Sequence, residues 1–134
     1  MWLVVLVFFL SGVLIAQPRH PAPFQKAKEM ALKCPKNENG DHVLSLPFKE
    51  QGVDTEIVII YGTFREELKN HDVVLLIKRQ GPNWIALGHC GICDDYRAAG
   101  PGTGGLFIEI EKDIAIQAAF DLFRELVKYK LIRA

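Results

Sequence analysis

Trp84–Gly105 reads WIALGHCGICDDYRAAGPGTGG, and how this stretch is taken decides the fold. It holds two of the three cysteines, one of the four histidines, the Asp94–Asp95 pair and six of the eleven glycines. Trp84–Leu87 is apolar and follows the turn residues Arg79–Asn83 (RQGPN). It therefore reads as the returning arm of a hairpin whose first arm is Val73–Ile77 (VVLLI). Cys93–Ala99 (CDDYRAA) reads as a short helix, stopped by Gly100-Pro101.

Working outward, Glu56–Tyr61 (EIVIIY) is an unbroken β-branched run, the pattern of a strand buried on both faces. Gly62-Thr63 opens a brief helix in which Thr63 and Glu66 form a capping box and which closes near Asn70. With only Gly62–His71 to join the two buried strands, near the lower limit of about 10–12 residues for a crossover, a parallel pairing is expected. His42–Leu46 is a further strand, stopped by Pro47. Phe24–Lys33 has Phe24, Ala27, Met30 and Ala31 at helical spacing and is an amphipathic helix, ended by Cys34-Pro35. Lys36–Asp41 (KNENGD) is a turn.

On the other side, Leu106–Ile110 (LFIEI) is a strand with Leu106, Ile108 and Ile110 inward. Asp113 caps the longest helix, Ile114–Leu131. Its inner stripe is Ile116, Ala119, Phe120, Phe123, Val127 and Leu131, widened by Leu122 and Leu126. The expected fold is α+β: a mixed sheet of about four or five strands, with the long C-terminal helix and shorter helices packed on it.

The first segment fixes an address. Trp2–Ala16 is apolar and uncharged, short for a membrane span of about 20 residues, and suits a secretory signal cut after Ala16. Leu14 and the lack of an early Lys or Arg keep an uncleaved anchor as the alternative. Domains are then residues 1–16 as signal peptide, 17–23 (QPRHPAP) as a flexible proline-rich leader, and 24–134 as one α+β domain. Secretion to the extracellular space is expected. Lys plus Arg and Asp plus Glu number 16 each, which gives no field to steer the chain to nucleic acid or an anionic membrane. Three cysteines allow at most one internal disulfide, from Cys34 to Cys90 or Cys93, and the odd thiol allows a disulfide-linked dimer.

Cys90-Gly91-Ile92-Cys93 resembles the thioredoxin-type redox motif in Cys90, Gly91 and Cys93. Were Cys90 at a helix N-terminus, with His89 beside it, its thiolate would be favoured. Asp94 and Asp95 oppose that by raising thiol pKa values. His89, Cys90, Cys93 and Asp94 amount to half of a structural zinc site, with no second Cys/His pair at the usual spacing, so no metal is expected. Gly100–Gly105 (GPGTGG) fits G-x-G-x-x-G. Yet an extended segment follows it where the dinucleotide fingerprint needs a helix, so it is a connection and no cofactor is expected. Ser45, the sole serine after the leader, has no nucleophile elbow around it.

The leading expectation is a small secreted non-catalytic binding or interaction protein. Its rim is the glycine-rich loop with His89, Tyr96, Arg97, Gly102 and Thr103, and its partner a protein or small molecule. The alternatives are a thiol–disulfide oxidoreductase with Cys90 attacking and Cys93 resolving, and a membrane-tethered partner protein held by residues 1–16.

Overall fold

Two tight turns set the topology. Gln51 and Gly52, with φ of 51° and 80°, are the central pair of a turn that closes a hairpin without splaying its arms. Gly81, at φ 60° ahead of Pro82, closes the next hairpin. The computed structural model describes residues 19–62, 72–133. Its elements are helix α1 (Ala22–Leu32), strands β1 (His42–Glu50), β2 (Val53–Gly62), β3 (Val73–Gln80), β4 (Asn83–Cys90) and β5 (Asp95–Ala99), a 3-10 turn (Pro101–Thr103), strand β6 (Ile108–Glu109) and helix α2 (Lys112–Lys128). The sheet has six strands in the order β1-β2-β3-β4-β5-β6, every neighbouring pair antiparallel.

The expected parallel pairing is thus corrected: Gly62 sits opposite Val73, so the chain reverses and pairs with itself. The mixed sheet of four or five strands is a uniform meander of six. The helix expected at Thr63–Asn70 lies outside the described residues. Cys93–Ala99 is strand, not helix, from Asp95 on. Its alternation explains this, because Tyr96 and Ala98 turn to the helices while Asp95 and Arg97 turn away. β1 runs through Pro47, which an edge strand tolerates because its outward N–H has no ladder partner.

One sheet face carries both helices. Ile57, Ile59, Val74, Leu76, Leu87 and Tyr96 pack under Phe24, Ala27 and Ala31 of α1 and under Ala115, Ala119, Leu122, Phe123 and Leu126 of α2. Burying each large aliphatic side chain is worth about 1.5–3 kcal/mol. The alanines bring the helices close to the sheet and to each other. α2 starts at Lys112 after Glu111 with no side-chain cap, and Phe120 is exposed, so its stripe is rotated from the expected one towards Ala115, Leu122 and Leu126. On the other face Val58, Val73, Leu75, Ala86 and Cys90 are also buried, which is why β2–β4 read as continuous apolar runs.

Two polar clusters mark the ends of the sheet. At one, Lys78 bonds Glu50 at 3.1 Å and Glu125 at 2.6 Å, joining β3, β1 and α2. At the other end, where Gly62, Val73, Cys90 and Asp95 lie across from one another, His89 and His20 meet.

Candidate functional site

The site is a row of four side chains, with both histidines buried and Asp94 exposed at its outer end. His89, the last residue but one of β4, faces the helices, between Tyr96 of β5 (ring centroids 4.4 Å) and Phe24 of α1 (5.6 Å). His20 lies just before Pro21, the residue that caps α1. The proline fixes the chain as it enters the helix, and His20 is carried into the core at 4% exposure. The two Nδ1 atoms are 2.7 Å apart, and His89 is 0% exposed. Outward from this contact, His89 Nε2 is 2.9 Å from Asp94 Oδ1 in the β4–β5 turn. His20 Nε2 is 3.1 Å from Asp72 Oδ1, within ion-pair reach but off line for a hydrogen bond.

Asp72 gathers the inner end. Lys28 Nζ of α1 donates to it at 3.2 Å, Tyr61 lies beside it, and Arg19 approaches at 3.9 Å. Its backbone oxygen accepts from the Gly91 N–H at 2.8 Å, tying the start of β3 to the β4–β5 turn. Burial alone would raise the Asp72 carboxyl, but the neighbouring Lys28, Tyr61 and His20 side chains outweigh it and hold the group at about 2. Burial pushes both imidazoles below their ordinary value, against the opposing pull of Asp72 on His20 and Asp94 on His89. Burial, then the charge of Asp94, pushes the Tyr96 phenol up to about 12.

Gly91 makes the arrangement possible. A Cβ there would come within 2.5 Å of Asp72 Oδ2, 3.0 Å of Arg19 Cβ and 3.1 Å of His20 Cε1. Asp94 closes the turn at φ 49°, a conformation that Asp accepts more readily than most residues.

The cysteines do not form the expected disulfide: Cys34, Cys90 and Cys93 are all free thiols. The reason is geometric. The Cys34 oxygen is 2.6 Å from His42 Nδ1, and His42, Tyr61, Val74 and His89 form one row across the sheet. Cys34 thus stands about three strand spacings, roughly 14 Å, from Cys90, where a disulfide needs Cα atoms within about 7 Å. Cys90 ends a strand and faces the side away from both described helices, so neither of their N-termini adjoins it. Cys93 is exposed, and its N–H points at Cys90 Sγ at 3.3 Å. Burial, the Cys90 sulfur and Asp95 together push its thiol up to about 11.

Of the residues expected on one rim, the structure brings only His89 and Tyr96 together, and both are buried. Arg97 is on the opposite face, 2.8 Å from Asp95 and 4.0 Å from Glu109. Gly102 and Thr103 form the 3-10 turn, where Thr103 Oγ1 donates to the Gly100 oxygen at 3.0 Å. Sequence reasoning missed His20, Asp72, Tyr61 and Lys28. The Arg-His-Pro sequence ahead of an amphipathic helix was the one available sign that His20 belongs to the folded body.

Among the described residues no three of His, Cys, Asp or Glu are grouped as metal ligands. Nitrogens bound to one zinc at about 2.0–2.1 Å with tetrahedral angles stand more than about 3 Å apart, wider than this Nδ1 pair. A shallow depression of about 610 Å³ lies at the far end, lined by Pro47, Lys49, Asp54, Glu56 and Arg79 among others. Its charges satisfy one another, Lys49 with Asp54 and Arg79 with Glu56.

Comparison with known proteins finds no family model, no curated protein and no solved structure that matches this chain.

Proposed function

We propose that this chain is an exported binding protein without catalysis of its own, and that its contact surface is the open edge of β6. The occupant is an extended, largely apolar segment of a partner protein. One observation carries the reading: Leu106, Phe107 and Ile108 stand consecutively at 70%, 41% and 49% exposure beside a strand edge that no described residue pairs. The Ile110 N–H donates inward to Tyr96 at 2.9 Å, so alternate residues Phe107 and Glu109 turn their backbone groups outward. Such an edge is a template for an added strand, and the side chains around it supply apolar contact. The opposite edge contrasts with it, carrying Pro47 and the exposed Lys49–Asp54 pair at 2.8 Å. The glycine-rich turn leads into this edge, which keeps Gly102 and Thr103 at its border and leaves His89 out.

A thiol–disulfide activity draws no support from the geometry, since the accessible Cys93 thiol is the one held protonated and Cys90 is buried. No described helix is long and apolar enough to cross a membrane. Export and tethering turn on residues 1–16, and expression through a secretory pathway tests both. A product mass starting at Gln17 supports export, and retention of Met1–Ala16 in a membrane fraction supports the tether.

The binding test uses capped octapeptides of alternating apolar and polar residues, titrated into the labelled protein. The expected result is slowed exchange of the Phe107 and Glu109 amides, abolished in the double variant Leu106→Glu, Ile108→Glu. Shifts confined to β1, or no response to any strand-forming peptide, would remove β6 as the surface.

A further inference from the structure

The row Asp72, His20, His89, Asp94 holds three contacts, and each needs one proton. Two neutral imidazoles carry only two between them. His89 Nε2–H serves Asp94, and one Nδ1–H fills the 2.7 Å contact between the rings. His20 Nε2 then faces Asp72 bare, in keeping with its lack of an aligned partner. One further proton has a place there, between His20 and Asp72. A second has none. Both Nδ1 atoms would then carry hydrogen, donor against donor, and two like charges would stand with ring centroids 4.8 Å apart, away from water.

What the pair fastens is the entry to α1. Arg19 and His20 lie on Gly91, and the Pro21 oxygen accepts the first helical bond, from Gln25 at 2.9 Å. His89 and Gly91 belong to the other party, the β4–β5 turn. We propose that the His20–His89 pair is a proton-operated latch. It holds the arm Arg19–Pro21 and the first turn of α1 on the β4–β5 turn while the rings share a proton, and it lets them go when both rings are fully protonated.

The charged and titratable groups facing the pair come from every neighbouring element. They are Arg19 on the arm, Lys28 on α1, Tyr61 on β2, Asp72 ahead of β3, Asp94, Asp95 and Tyr96 at β5, and Lys112 at the start of α2. The carboxylates favour proton uptake, burial and Lys28 oppose it, and burial prevails for both rings. A histidine lowered in the folded state contributes stability that is complete above its unfolded value of about 6.5 and lost as pH falls through the folded one. The latch therefore opens on the acid side of about 6.5.

The test is a titration of the uniformly nitrogen-labelled chain from pH 8 to pH 4, following the imidazole nitrogens and the amides of Ala22–Lys28. Both rings are expected to gain their last protons in linked steps. The α1 amides are expected to lose protection by about tenfold per pH unit while those of β2–β4 keep theirs. Three results would overturn the latch: independent titration near 6.5, α1 protection unchanged to pH 4.5, or simultaneous loss across the sheet. His20→Gln is expected to abolish the pH dependence of α1 protection, and persistence of it would count against the pair. Should that variant fail to fold, Asp94→Asn alters an exposed carboxylate that favours proton uptake by the closed pair, and is expected to shift release to higher pH. An unchanged release pH would again refute the proposal.

Discussion

At Gly91 the absence of a side chain does structural work, since the space a Cβ needs is filled by Asp72, Arg19 and His20. Gly91→Ala must push Asp72 or the arm aside, and about 1–3 kcal/mol of destabilisation is expected by urea unfolding. Cys93 offers a sharper chemical check. Its thiol lies near 11 where an ordinary one is 9.0, so the reactive thiolate is scarce at neutral pH. Alkylation of Cys93 at pH 7.5 is expected to run about a hundredfold slower than that of a free cysteine, by timed mass spectrometry. Fast labelling would return the redox reading to favour. The sequence showed the Cys-x-x-Cys pair plainly, and Asp94 and Asp95 already argued against an acidic thiol. It could not show that the pair ends a strand, because that depends on whether Asp95–Ala99 finds a ladder to join.

Elements whose burial is one-sided were legible. Helix α1 was read from Phe24, Ala27 and Ala31, all of which are buried, because a 3.6-residue repeat is a local property. α2 was found with its stripe rotated, since Phe120 and Ile114 are as apolar as the residues that pack and only the sheet below decides which face is covered. Hairpin partners were harder. An apolar run such as EIVIIY is compatible with either strand direction, and only the register Gly62 to Val73 fixes it. The ion cluster at Lys78 ties three elements and gives an element-scale prediction. Lys78 is held charged by Glu125 and Glu50 against burial, and burial raises Glu125 in turn. Lys78→Met leaves two close carboxylates half-buried without their cation. It is expected to lower stability by about 2 kcal/mol and to expose the C-terminal end of α2 to proteolysis.

For the molecule as a whole, the pH dependence of stability should show two steps on the acid side. His20 and His89 lie below their ordinary value when folded, so their contribution is lost first, as pH falls below about 6.5. Asp72 is depressed to about 2 from 3.8, so its contribution holds above 3.8 and is lost between there and about 2. That second step is worth about 2 kcal/mol. Urea midpoints taken from pH 8 to pH 2 measure both. Asp72→Asn should remove the lower step, and an unchanged lower step in that variant would show that Asp72 is not the group responsible.

The amino-acid sequence by itself determined the class of the domain, the two helices that flank its strands and the turn at Gly81, because periodicity and backbone conformation are settled within a few residues. Tertiary structure alone decided the strand directions, the separation of Cys34 from Cys90 and the meeting of His20 with His89. Those depend on contacts between residues far apart in the chain, and no local pattern records which of several compatible partners the packed sheet will supply.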